Sequence, residues 1–308
     1  MNHSFKNNFY KEIDVDLSEF NKRSNLLSAI FFVFTISLIF FFVLACSKTH
    51  NIPLYIVSFI MIGALQHRLS IFLHEAIHFT LFDNKRLNRF VGSLSAYMIF
   101  FKWNYRKIHL KHHKHLGDDH DPDLINYVNY PSGLNFFLLD VISNFSGISA
   151  CKQFIKQSLT KKPQPNSSEI HYSEIFLLLV TQTLIFILFY LSGYWLNYFI
   201  LWILPLITVA KSLAHFRNVA EHVLIENGNN PELERLRTIK SNILERFFFA
   251  PLAFNYHAEH HMFPGVPFHR LSSLSKTVRE QSFYKENIHF YPFSYCRLLL
   301  NHALCRKS

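Results

Sequence analysis

From residue 26 onward the chain alternates between long apolar blocks and polar stretches rich in histidine and basic residues. Residues 26–46 contain no charged residue and are long enough to cross a hydrocarbon core of about 30 Å. A short turn at Ser47–Asn51 leads into a second block. It is apolar from Ile52 to Leu65 and continues through Gln66-His67-Arg68 to Leu73. An unbroken helix over 52–82 would be about 46 Å long at 1.5 Å per residue. Its last turns, with His74 and His78, are therefore expected to stand clear of the membrane. Two further blocks flank a turn at Ser192-Gly193, and Pro205 should kink the last one. The pattern predicts spans at 26–46, 52–73, 175–191 and 198–214, arranged as two helical hairpins.

Between the pairs, Phe90–Phe101 reads as a short or re-entrant helix. Leu134–Ala150 reads as a segment lying in the membrane interface. Lys161–Ser168, with two prolines, reads as a loop. Residues 1–25 form a polar N-terminal tail, 26–275 one membrane domain and 276–308 a C-terminal tail. The two hairpin turns hold one lysine, Lys48, and nearly all other Lys and Arg lie in the tails and the middle segment. Those regions are expected to be cytoplasmic. The fold class is therefore all-α: an integral membrane protein with four transmembrane helices in two hairpins and a cytoplasmic helical cap.

Composition refines this picture. Half of the 308 residues are hydrophobic and 34 are Phe, yet mean hydropathy is only +0.11, so the apolar residues must be concentrated in blocks. The net charge of +10 fits cytoplasmic loops facing anionic lipid better than a nucleic-acid partner. Cys46, Cys151, Cys296 and Cys305 are scattered without a C-x-x-C pair and read as free thiols. The start is polar and mixed in charge, so no cleavable signal peptide is expected.

The polar stretches carry the chemistry. His257-Ala-Glu-His260-His261 places three imidazoles at i, i+3 and i+4, on one side of a helical turn. His109-Leu-Lys-His112-His113 repeats the spacing. His74-Glu-Ala-Ile-His78 and Asn218-Val-Ala-Glu-His222 add two more clusters, giving nine histidines and one asparagine. Imidazole suits zinc, copper, iron and nickel, so ligand type alone does not name the metal. Zinc commonly closes a site with four ligands. Nine are too many for one ion and about right for two with four or five each.

The set His74/His78, His109/His112/His113, Asn218/His222 and His257/His260/His261 resembles the histidine boxes of the membrane fatty-acid desaturase and hydroxylase superfamily. Arg237-Thr238-Ile239, Leu244-Glu245-Arg246 and Phe263-Pro264-Gly265-Val266-Pro267 resemble its bacterial members. The resemblance spans residues 50–275. It implies a non-haem centre of two Fe ions, O2 as oxidant and the nine histidines as ligands, with Asn218 acting through water. It also implies an external electron donor. No cytochrome, ferredoxin or rubredoxin motif is visible in the chain, so a separate protein of ferredoxin, rubredoxin or cytochrome b5 type is expected. The expected reaction is introduction of a double bond into a fatty-acyl or related lipid chain. Hydroxylation or ketone formation by the same centre is the alternative, and the cytoplasmic side of a bacterial inner membrane is the expected location.

Rival readings are weaker. His-Glu-Ala-Ile-His fits H-E-x-x-H, the zinc-peptidase pattern with Glu75 as general base, but leaves six histidines of the second and fourth clusters idle. Glu75 also begins Glu-x-x-His, half of the soluble di-iron carboxylate pattern, whose second half is missing. A metal transporter would place ionisable residues inside the spans, and residues 26–46 and 175–191 have none. The run Asp118–Asp123 reads as a solvated turn, with orientation of a ligand as the alternative. Glu221 and Glu259 are candidates to orient imidazoles. Basic residues around the second cluster fit docking of an acidic electron carrier or an acyl-carrier headgroup, and equally the membrane-side charge rule. The roles of His67, His115, His120 and His215 are left open.

Overall fold

The computed structural model describes residues 13–47, 49, 51–130, 133–159, 172–224, 233–292 and 294–304. Residues 1–12 of the expected N-terminal tail, Lys48, the 161–168 loop and Cys305 lie outside the described residues. A single turn, α1 (Leu17–Phe20), precedes the first two long helices, α2 (Asn25–Ser47) and α3 (Ile52–Ile77). α4 (Lys85–Met98) and α5 (Tyr105–His115) follow, then α6 (Leu134–Phe145) and α7 (Ile148–Leu159). The second long pair is α8 (Tyr172–Leu191) and α9 (Leu196–His222).

α2, α3, α8 and α9 are the four helices long and apolar enough to cross a membrane. They divide by burial. Only 17% of the apolar window of α2 and 11% of that of α8 are buried, against 61% in α3 and 50% in α9. α3 and α9 are therefore the inner pair, and α2 and α8 present Leu26, Val33, Phe41, Phe176 and Leu184 outward.

Small and polar residues bring the inner helices together. A Cβ on Gly63 would lie 2.5 Å from Val209 Cβ, so the absence of a side chain permits the contact. Gln66 Nε2 donates to Trp202 O at 2.8 Å. Gln182 of α8 donates to Tyr97 O at 2.7 Å and accepts from Tyr198 Oη and Trp202 Nε1. In an apolar surrounding such satisfied amides fix which helix faces meet. Pro205 cannot donate to the helical ladder, and the chain carries it between two π-helical segments, Phe199–Ile203 and Leu206–Ala210.

The second long helix runs past the expected span end at 73 and stops at Ile77, short of an unbroken 52–82 helix. Phe79 adopts the left-handed region at φ 58, and Thr80 Oγ1 donates to Glu75 O at 2.8 Å, so the ladder cannot continue. Twenty-six residues span about 39 Å, which still carries His74 and His78 to one end. Buried Asn88 then holds the following turn, accepting from Leu81 N and Phe82 N and donating to Phe82 O.

The expected 134–150 segment is two helices that meet at 77°, turning at Gly147 with φ 79. Many of their apolar residues, among them Leu138, Leu139, Ile142 and Phe154, are exposed, while Phe137 and Val141 pack on the main core. The C-terminal region is folded. It contains α10 (Ile243–Phe248), α11 (His257–Met262), α12 (Phe268–Val278), α13 (Ser282–Asn287) and α14 (Tyr295–Leu304). It also holds a short parallel pair, β1 (Arg237–Ile239) with β2 (His289–Tyr291), in register Arg237 to His289 and Ile239 to Tyr291. That pair is the one departure from an all-α fold among the described residues. Residues 276–304 are integral to the body, since Tyr295, Leu298 and Leu299 join the main core and Tyr284 and Ile288 a second one.

Candidate metal centre

The nine histidines arrive from four elements. His74 and His78 stand at the end of α3, His109, His112 and His113 on α5, His222 at the end of α9, and His257, His260 and His261 on α11. The carbonyls that end both inner helices are held by arginines. Arg106 Nε donates to Ile77 O at 3.0 Å and Arg23 Nε to Phe79 O at 2.7 Å. At the end of α9, Arg235 Nη1 donates to His222 O at 2.9 Å, while Arg237 donates to Ala220 O and Val223 O. Cations there satisfy the orphan carbonyls and oppose the negative end of the helix dipole.

Two adjoining groups result. His74, His78, His109, His113 and His260 offer five ring nitrogens within 4.8 Å of one another. His112, His222 and His261 form the second group at the same criterion, with His257 beside His222. Nε2 atoms approach closely: His78 to His109 at 2.9 Å, His113 to His109 at 3.0 Å, and His260 to His113 at 3.2 Å. His257 lies 2.9 Å from His222 and 3.0 Å from His261. The His113 and His261 rings stack at 4.1 Å between centroids, so the groups touch.

Electrostatics favour neutral rings. Burial pushes His109, His113, His257, His260 and His261 well below the usual imidazole range, and neighbouring histidines add to this. Burial, then Arg106, takes His78 down to about 3. Five neutral imidazoles converging on one point cannot satisfy one another, because each has a single N–H. Both nitrogens of His74 are buried and without a hydrogen-bond partner. A cation between the rings would resolve both facts, so the donor set fits one metal ion per group.

His112 is oriented from outside. Its Nδ1 lies 2.8 Å from Asp121 Oδ1, which turns Nε2 inward. Burial alone would lower this imidazole, but the bond to Asp121 and the charge of Asp123 raise it. Burial likewise opposes ionisation of Asp121, yet His112 and the Gly117 N–H bring it down to about 2. Tyr127 also donates to Asp121. The aspartate run is thus more than a solvated turn. His222 Nδ1 faces Arg235 O at 3.3 Å.

Other expected residues divide. Asn218 lies one turn before His222, and its Oδ1 is buried without a partner. Glu221 Oε2 is 3.6 Å from His257 Nε2. Glu259 does not orient an imidazole: its carboxylate accepts from Thr238 and from Tyr284 Oη at 2.6 Å, tying α11 to β1 and α13. Glu75 accepts from Thr80 Oγ1 at 2.8 Å and Phe268 N at 3.2 Å, a structural role at odds with a peptidase base. His67 faces Phe249 O, His115 pairs with Asp118, and His215 with Asp140. His120 is exposed beside His115. None of these four joins either group. The arginines at the helix ends had no signal in the sequence beyond the Arg237-Thr-Ile resemblance.

The family model described as "Fatty acid desaturase" matches residues 50–294. Dihydrorhizobitoxine desaturase of Bradyrhizobium elkanii is 30% identical over 283 residues, covering 87% of this chain and 79% of that protein.

Proposed function

The chain belongs to the fatty acid desaturase family, and on that premise we propose an O2-dependent, non-haem di-iron membrane oxidoreductase. It introduces a double bond into a fatty-acyl or related lipid chain. One observation carries the reading: nine histidines, brought from four elements, form two touching groups at the ends of the two inner apolar helices. Bound iron would supply activation of O2 and removal of hydrogen from an unactivated C–H bond. The residues present hold and orient. His74, His78, His109, His113 and His260 take one ion, and His112, His222, His257 and His261 the other, with Asn218 acting through water. Asp121 and Arg235 fix ring orientation, and burial of every one of these imidazoles except the half-buried His78 excludes bulk water.

Both inner helices run from apolar surroundings to the histidines, so a chain dissolved in the bilayer meets the centre at the membrane boundary. The distribution of Lys and Arg supports a cytoplasmic side for that end and for both termini, and the bacterial relative supports a bacterial inner membrane. Electrons come from a separate ferredoxin, rubredoxin or cytochrome b5 type protein. The relative's name, a desaturase, favours loss of two hydrogens over hydroxylation or ketone formation.

The test is product analysis of membranes expressing the chain, given O2 and a reductant. Lipid chains lighter by two hydrogens are expected. Chains heavier by one oxygen would reassign the enzyme as a hydroxylase, and iron-loaded protein that changes no lipid would overturn the reading.

A further inference from the structure

The two histidine groups are unequal: one has five rings, and the other has His112, His222 and His261 with His257 beside His222. Beside the smaller group stands a carboxylate. Glu221 is fully buried, and its Oε2 has no hydrogen-bond partner. It lies 3.6 Å from His257 Nε2, and a carboxylate oxygen sits within 4.8 Å of the ligand nitrogens of both His222 and His257.

The rest of the side chain is held in place. Tyr295 Oη donates to Oε1 at 2.9 Å, which leaves Oε2 as the free donor. Arg217, one turn earlier on α9, lies 3.5 Å from Oε2 through Nε. Its guanidinium sits over the Phe254 ring at 4.3 Å, and that ring packs on His257 at 4.9 Å between centroids. A buried carboxylate with an orphan oxygen is costly unless a cation completes it. At 3.5 Å the arginine contributes charge without a well-formed hydrogen bond. Oε2 lies between that guanidinium, at 3.5 Å, and His257 Nε2, at 3.6 Å.

We propose that Glu221 supplies an oxygen ligand to the ion held by His112, His222, His257 and His261, so that each ion has five protein donors. The assignment rests on the di-iron reading above. An anionic oxygen donor among neutral imidazoles makes the two sites chemically different. It favours the more oxidised state of its own ion, because hard carboxylate suits the harder cation. Arg217 and Tyr295 act as positioning residues that aim the carboxylate.

The experiment uses full-length protein purified from membranes and loaded with 57Fe. Metal content, Mössbauer spectra and gel-filtration behaviour are measured for wild type, Glu221→Gln and Glu221→Asp. Wild type should bind two irons in two inequivalent environments. Glu221→Gln should retain about one iron after a chelator wash, with the signal of one environment lost or shifted. Two irons with the wild-type spectrum in Glu221→Gln would overturn the proposal and leave the di-iron reading intact. Wild type that binds no iron would instead remove the di-iron reading itself. If Glu221→Gln aggregates, Glu221→Asp decides. Two irons with one shifted environment support ligation, and an unchanged spectrum refutes it.

Discussion

Asp121 Oδ1 lies 2.8 Å from Nδ1 of His112, and this contact sets which nitrogen of that ring faces the centre. With the Nδ1 proton donated to the carboxylate, the Nε2 lone pair is free for metal. Asp121→Ala removes the acceptor. Weakening of metal affinity by about 10–100-fold is expected, the usual effect of losing such a partner. Iron remaining after a graded chelator wash, compared with wild type at equal protein, measures it. Undiminished retention would mean that packing on α5 alone orients the ring.

His261 and His115 differ by position. His261 stands between His113 and His257, whereas His115 pairs with Asp118 at 2.9 Å away from both groups. His261→Ala should abolish product and lower bound iron while the protein still inserts. His115→Ala should keep most activity. Iron content and product yield at matched membrane expression are the paired readout. Full activity in His261→Ala would remove the basis of the ligand set.

Glu75 separates a structural carboxylate from a peptidase base. It bridges Thr80 and Phe268 N, so Glu75→Gln keeps one acceptor oxygen and loses charge assistance. A stability loss of about 1–2 kcal/mol is expected, with iron still bound. Thermal unfolding in detergent and metal analysis check this. A fall to no iron with a properly folded protein would contradict it.

Gly63 tests the inner helix pair. A side chain there meets Val209 Cβ at 2.5 Å and Pro205 O at 3.2 Å. Gly63→Leu must push α3 from α9, at a cost of about 1–3 kcal/mol or more. Less folded protein is expected in the membrane, and bound iron per folded chain should fall, because His74 and His222 sit on those two helices. Normal yield and iron would show that the pair separates freely.

Topology is tested by reporter fusions. Positions after Ser47 and Ser192 should report the outside, and positions after Pro163 and at Ser308 the inside, as the Lys and Arg distribution requires. An outside signal at Pro163 would break the four-span arrangement.

Much of this protein is legible in its sequence because the relevant signals are local. Apolar blocks of span length became α2, α3, α8 and α9, with most ends shifted by a few residues and the end of α9 running on to His222, since hydropathy over some 20 residues is a property of the segment alone. Histidine spacing of i, i+3 and i+4 placed imidazoles on one side of a helical turn for the same reason. The shortened end of α3 escaped, because the left-handed Phe79 and the Thr80–Glu75 bonds follow from packing.

The sequence by itself determined how many apolar helices there are, which residues bear imidazoles, and that they are too many for one ion. Only the tertiary structure decided how the nine divide. His112 and His113 are chain neighbours, yet they serve different groups, because adjacent residues on a helix point about 100° apart. His260 joins the rings of α3 and α5, while His257 and His261 join His222. The same assembly turned Asp121 toward His112 and Glu221 toward His257, and drew Glu259 away to Thr238 and Tyr284. Those partners are set by three-dimensional approach between elements far apart in the chain, as for His113 and His260 or His74 and His260. Spacing along a single helix carries no information about that approach.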